Sequence, residues 1–266
     1  MGKTSLISWT DSTWNIAVGC SKVDKDCLFC YMYRQSLNGT RYAPDQVVKT
    51  KHVFTLPLRI KEPSKIFTSS LTDFFHKDID SFRDEAWDII RKCPQHTFQI
   101  LTKRPERIIE HLPADWGNGW DNVWLGTSVG SQASVERINI MEEVPAKIKF
   151  ASFEPLYGKI TEKFRGTLDW VIIGGESGNE NGKYRYRPCE IEWIEYLIDS
   201  FTDMHSNMIL GTDTKVFVKQ LGTHLAKKLK LKDRHGTDME EWPESLNHLK
   251  IREFPSINKN NESARN

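Results

Sequence analysis

Short runs rich in β-branched and aromatic residues recur along the chain, each closed by turn-forming residues, at positions 14–18, 65–69, 97–102, 123–128, 147–153, 170–174 and 215–219. Seven strands are predicted. Between most of them lie segments whose spacing suits a helix, at 81–92 (SFRDEAWDIIRK), 106–112, 134–141 and 190–204, with a shorter helical stretch at 31–38. Strands alternating with helices predict parallel βα units, and so an α/β fold built as a partial or complete parallel (β/α) barrel. The stretch from there to residue 64 fits neither pattern and reads as a small insertion. The expected layout is one domain over 1–255 followed by a polar tail over 256–266.

The polar residues sharpen this picture, because the apolar runs end in reactive or hydrogen-bonding groups. Ser69, Ser70 and Asp73 follow the second run (IFTSSLTD), Lys103 and Arg104 the third (QILTKRPER), and Ser128 closes the fourth (VWLGTSV). Glu154 ends the fifth (KFASFEP), Glu176 and Ser177 the sixth (VIIGGESG), and Lys219 and Gln220 the seventh (VFVKQLG). One polar residue after a strand is ordinary loop chemistry. In a parallel barrel all carboxyl ends of strands share a rim, so a succession of such endings predicts one shared cavity.

Composition adds bounds. At 266 residues, 38% hydrophobic and 27% charged, the chain is long enough for a sizeable core. No apolar run suits a membrane span, and the first residues lack a basic segment followed by an apolar signal core, so a cytoplasmic protein with no membrane partner is expected. With 37 basic against 36 acidic residues, the whole-chain charge calls for no polyanion. Cysteine usage is more telling. Cys20, Cys27 and Cys30 crowd into the run GCSKVDKDCLFCYMY, which suits a metal site better than a disulfide framework. A structural zinc site normally closes with four protein ligands, whereas three leave a position open for a substrate or cofactor.

The pair Cys27 and Cys30, with Phe29 between them, resembles the C-x-aromatic-C half of the radical S-adenosylmethionine (SAM) signature, although six residues separate Cys20 from Cys27 where the common signature has three. More closely, TWNIAVGCSKVDKDCLFCY, FTSSLTDFFH, FQILTKRPERI, VWLGTSV, FEPLYG, VIIGGESG, RPCEIEW and FVKQLG, in order across residues 9–255, resemble the motifs of a phage-associated three-cysteine-motif family of radical-SAM-like proteins of uncharacterised function. The resemblance implies a barrel of the radical SAM, TIM-like type. It implies a 4Fe-4S cluster on Cys20, Cys27 and Cys30, with SAM on the open iron and a 5'-deoxyadenosyl radical as product. Phe29 would pack beside the adenine or shield the cluster, or else serve as a hydrophobic plug. Ser69, Ser70 or Asp73 would receive the SAM amino group, Lys103 or Arg104 its carboxylate, and Ser128 and Glu154 the ribose hydroxyls. Glu154 has a competing reading as a buried acid paired with Lys103. The Gly-Gly-Glu tripeptide usual after the second strand of such barrels is absent there; Gly174 and Gly175 stand after the sixth, where they would allow close backbone approach to a ligand. Glu176 and Lys219 are the candidate catalytic groups.

Partners implied alongside are SAM, a reductant protein, a partner protein encoded nearby, and an unidentified substrate whose candidate classes include a nucleotide or nucleic acid. KYRYRP at 183–188 interleaves bases with tyrosines, and KKLKLKDRHG at 227–236 adds charge, against the plain reading of solvated loops. Cys189 suits a buried small hydrophobe better than a hydrogen-atom donor, and Cys93 has less to recommend it. Two rival expectations stand beside the radical reaction: a zinc-stapled nucleic-acid-binding protein with His76 as fourth ligand, and a SAM-binding protein that serves a partner without catalysis.

Overall fold

The computed structural model describes residues 5–33, 43–162, 164, 168–202 and 213–256. Nine strands run in chain order: β1 Ser12–Trp14, β2 Ala17–Val18, β3 Val48–Lys49, β4 Lys65–Thr68, β5 Thr97–Thr102, β6 Val123–Ser128, β7 Ile148–Leu156, β8 Trp170–Gly175 and β9 Lys215–Gln220. Seven of them form one all-parallel sheet in the order β1-β4-β5-β6-β7-β8-β9, while β2 and β3 make a small antiparallel pair. The sheet curls without joining β1 to β9, which makes it a partial barrel. Among the described residues, four α-helices pack outside it: α1 Arg83–Arg91, α2 Glu136–Glu142, α3 Ile191–Thr202 and α4 Gly222–Lys228.

The alternation of side chains along each strand divides the core into an inner and an outer part. Outward-facing Trp14, Ile66, Phe98, Ile100, Val123 and Leu125 pack against Ala86, Trp87, Ile89 and Ile90 of α1. Ala151, Phe153, Val171, Ile173, Val216 and Val218 do the same against Ile194, Leu197 and Phe201 of α3. The inward positions next to them, Phe67, Trp124, Ile148, Phe150, Trp170, Ile172 and Phe217, join Trp9 in an aromatic floor inside the curl. Trp170 is the hub of that floor, with ring centroids 5.5 Å from Trp124 and Phe150 and 6.0 Å from Trp9. Gly126 makes room for it: a Cβ there would lie 2.6 Å from the Phe150 ring.

The predicted strands differ from the observed ones in instructive ways. The run 14–18 splits, because the Asn15 side chain turns to accept from the Leu71 N–H at 2.7 Å and the chain leaves the sheet for the β2–β3 pair. Ser69 lies beyond β4 with φ 71°, a left-handed kink that ends the strand. The helix expected over 106–112 is two 3-10 turns, Pro105–Arg107 and Ile109–His111. Pro113 is the reason, since Leu112 before it is held extended at ψ 146° and no further turn can form. The helix expected over 190–204 spans Ile191–Thr202, and 203–204 lie outside the described residues, as do 34–38 of the stretch expected at 31–38. The basic segment at 227–236 begins in α4, whose Leu225 and Ala226 are buried, and Trp242, Leu246 and Leu249 after it join the outer core. The tail at 257–266 lies outside the described residues. Among the described residues no helix is long and apolar enough to cross a membrane.

Candidate functional site

Inward-facing positions change character along each strand. Phe67 gives way to Ser69, Leu101 to Lys103, Trp124 and Gly126 to Ser128, Phe150 to Ser152 and Glu154, Ile172 to Gly174 and Glu176, and Phe217 to Lys219. The aromatic floor therefore closes the amino end of the curl, and a cavity of about 680 Å3, with apolar walls and these polar groups on its carboxyl rim, opens above it. Cys20, Cys27, Phe29, Cys30, Ser69, Ser70, Asp73, Lys103, Ser128, Glu154, Glu176 and Lys219 all line it, so twelve of the predicted site residues converge.

The cysteine loop leaves β2 through Gly19, where a φ of 95° and the 2.1 Å that would separate an added Cβ from the Gln46 carbonyl oxygen exclude a side chain. A 3-10 turn, Lys25–Cys27, carries the second thiol and is capped by Asp24, which accepts from the Asp26 N–H at 2.8 Å. Asp26 pins this loop to the barrel. Only 3% exposed, it accepts from Arg137 Nη1 at 2.7 Å, Tyr157 Oη at 2.6 Å and the Gly130 N–H at 3.1 Å. Arg137 also pairs with Asp24 and donates to the Ser128 carbonyl at 2.7 Å.

Several predicted roles shift once partners are visible. Asp73 is saturated: Oδ1 accepts from Thr102 Oγ1 at 2.6 Å and the Phe75 N–H at 3.0 Å, Oδ2 from the Lys103 N–H at 3.0 Å and Arg104 Nη1 at 2.9 Å. Arg104 is likewise committed, to Asp73, to the Ser21 carbonyl at 2.9 Å and to Cys20 Sγ at 3.8 Å, so it braces the cysteine loop. Glu176 is held bidentately by Arg187, at 2.7 Å to Nε and 2.6 Å to Nη2, which removes it as a free base. Glu154 pairs with Lys219 rather than Lys103. Gly175 serves chain packing: a Cβ would lie 2.2 Å from the Leu221 carbonyl oxygen. Gly174 is less constrained, with an added Cβ 3.3 Å from Gln220 Cγ and an ordinary 3.6 Å from Glu154 Cδ. Packing within the chain therefore accounts for Gly175. The Ser128 hydroxyl donates to the Glu154 carbonyl at 2.9 Å. Ser70 exchanges hydrogen bonds with the Asn15 amide, at 3.0 Å to Nδ2. Two groups stand apart. Ser69 Oγ is buried with no hydrogen-bond partner, and Lys103 Nζ has no acidic partner among the described residues.

KYRYRP folds over the cavity instead of trailing in solvent as a whole. Tyr184 is buried in the cavity wall, and Arg187 lies 3.4 Å over the Tyr157 ring while donating to the Lys25 carbonyl at 2.7 Å. Arg185 covers Phe29 at 5.0 Å. Arg187 belongs to the basic-aromatic run KYRYRP, whereas Arg137 and Asp26 carry no sequence signal beyond an acid sitting inside the cysteine run.

A family model described as "Protein of unknown function (DUF5131)" matches residues 4–249. The chain belongs to that family. No curated protein and no solved structure matches it.

Whether this DUF5131 chain suits a cluster can be judged from its donors. The three loop thiols are free and line one cavity. Burial, with Asp73 beside it, pushes the Cys20 thiol up to about 12, and burial moves Cys30 in the same direction. Keeping thiolates here therefore calls for a cation, and a bound metal supplies one. Among the described residues, no three His, Cys, Asp or Glu side chains are gathered closely enough to hold an ion as they stand. The donors suit a three-thiolate site in kind and number and share one cavity wall, and the loop has to draw them together around an ion. His76 does not complete a zinc set: Nε2 meets Ser21 Oγ at 2.8 Å and Nδ1 accepts from the Asp78 N–H at 3.2 Å, so both ring nitrogens are engaged. Cys189 and Cys93 are buried in the outer core, as small hydrophobes are.

Proposed function

We propose that the protein is a radical SAM-type iron-sulfur enzyme acting on a substrate held in the carboxyl-rim cavity. The observation that carries this reading is the placement of Cys20, Cys27 and Cys30 on the wall of the same cavity that collects the strand-end polar residues. When bound there, a 4Fe-4S cluster would supply the electron that cleaves SAM reductively. The chain's own residues divide the remaining work. Cys20, Cys27 and Cys30 hold the iron, and Arg104 steadies Cys20. The partnerless Ser69 hydroxyl receives the SAM amino group, with Ser70 next to it. Lys103, the cavity cation without an acidic partner, takes the carboxylate. Glu154 and Lys219 face the cavity as a pair, 20% and 18% exposed, and offer an acceptor and a donor to ribose or substrate hydroxyls.

Anaerobic reconstitution followed by iron and sulfide counting tests the cluster, and dithionite with SAM tests cleavage through release of 5'-deoxyadenosine. A brown protein absorbing near about 400 nm that bleaches on reduction is expected. One zinc per chain with no iron would overturn the reading. Iron with SAM binding but no cleavage would favour the partner-serving, non-catalytic role.

A further inference from the structure

Charge is distributed unevenly between the cavity and its mouth. Inside, four acids are each matched to a base: Asp26 to Arg137, Asp73 to Arg104, Glu154 to Lys219 and Glu176 to Arg187. Lys103 is the remaining cation. At the mouth the matching stops. Lys22, Lys25, Lys183 and Arg185 are exposed, and none has an acidic partner among the described residues. The nearby acids are already engaged, Asp24 with Arg137 and Glu180 with Lys227.

Lys22, Lys25 and Arg185 belong to one rim, and Lys183 directly precedes Tyr184 of the cavity wall. Lys22 Nζ donates to the Leu28 carbonyl at 3.0 Å, next to Phe29. The Lys25 carbonyl accepts from Arg187, which stands 5.6 Å over Phe29, and Arg185 covers the same ring at 5.0 Å. Phe29 and Tyr184 then line the cavity just below. Unmatched cations around aromatic rings, at the mouth of a cavity, suit a polyanion carrying planar groups.

We infer that this rim binds a single-stranded nucleic acid, its phosphates on Lys25, Lys183 and Arg185 and one base at Phe29 over the cavity. The inference deepens the proposed function by naming the substrate class. Backbone charge supplies affinity, and ring stacking separates a nucleic acid from an acidic protein, which would use the same cations with the exposed Val23 and Leu28. A base drawn out of a duplex or loop can enter a cavity of this size, so single strands are the preferred form.

The test uses the metal-free full chain and a fluorescein-labelled oligothymidylate of about 12 nucleotides, read by anisotropy across a salt series. Binding should weaken with salt at a slope of about 0.7 per phosphate contact. The double variant Lys25→Ala/Arg185→Ala should lose about tenfold or more in affinity with a shallower slope. Phe29→Leu should lose about tenfold at unchanged slope, because only stacking is removed. Lys65→Ala, at the amino end of β4 and so at the opposite end of the barrel, should bind as the unaltered chain does. No binding at about 50 mM salt, or rim variants that bind normally, would overturn the inference. So would displacement by polyglutamate as effective as by unlabelled oligothymidylate, which would assign the rim to an acidic protein. Iron counting on the same preparations keeps the two readings apart, since oligonucleotide binding here needs no cluster.

Discussion

Replacing Asp26 with Ala should be among the most damaging single changes near the cavity that leaves every cysteine in place. The carboxylate is 3% exposed and serves three donors from three parts of the chain. Removing one member of a buried ion pair typically costs about 3–5 kcal/mol. Arg137 keeps Asp24 and the Ser128 carbonyl, which places its share near the lower end, about 3 kcal/mol. The Gly130 N–H retains Ser134 Oγ at 3.1 Å and Tyr157 Oη retains Ser131 Oγ at 3.3 Å, so each adds about 0.5 kcal/mol. A total of about 4 kcal/mol lowers Tm by roughly 8–15 °C for a chain of this length. Calorimetry of the metal-free protein at neutral pH measures that shift, and the iodoacetamide reactivity of neighbouring Cys27 should rise with it. Asp26→Leu combined with Arg137→Met should recover more than half of the loss, because an apolar pair leaves no buried charge stranded and Asp24, its side chain 37% exposed, returns to water. A fall in Tm under about 2 °C with unchanged Cys27 reactivity would refute the anchoring argument.

Other expectations follow from single positions. Cys27→Ala should abolish iron binding on reconstitution while Cys189→Ala leaves the iron content unchanged; equal losses would mean the ligands are misassigned. Burial, with Glu190 adding to it, pushes the Cys189 thiol from 9.0 up to about 12, so the unfolded chain releases this proton first. The fold is unaffected by this group below about pH 9 and loses up to about 1.4 kcal/mol per pH unit from there to about 12, and Cys189→Ala should flatten that part of a Tm-against-pH curve. An alkaline limb identical in both proteins would contradict it. Gly126→Ala would drive a methyl group into Phe150, whose ring is backed by Trp170, and should destabilise by about 1–3 kcal/mol in urea unfolding. Phe150→Leu in the same chain should relieve it, and a neutral Gly126→Ala would show that the aromatic floor has slack.

How far the site was legible in the sequence depends on distance along the chain. Strand-end groups were readable because each follows an inward apolar residue by two or four positions, and the strand period carries it to the rim. The pairings were not readable. Asp26 meets Arg137, 111 residues away, and Arg187 reaches Glu176 only because the 177–187 loop doubles back over the cysteine turn. Glu154 illustrates the physics. Lys103 on the β5 side and Lys219 on the β9 side are each two strands from it, and residue type alone cannot choose between them. The strands in between decide. Toward β5 stands Ser128 at the end of β6, whose hydroxyl donates to the Glu154 carbonyl. Toward β9 stands Gly174 of β8, where a side chain would crowd both Gln220 and the Glu154 carboxyl. With no side chain at Gly174 to stand between them, Glu154 and Lys219 meet across β8, while one layer down the absent Cβ of Gly126 is what admits the Phe150 ring. Inward glycines in this barrel thus direct which neighbours touch across a strand. A glycine doublet read from sequence as room for a ligand is, in the folded chain, partly room for the barrel's own ion pair: an added Cβ at Gly174 would meet Glu154 Cδ at an ordinary 3.6 Å, so Gly174→Ala should leave Glu154 joined to Lys219, whereas the larger side chain of Gly174→Leu should separate them.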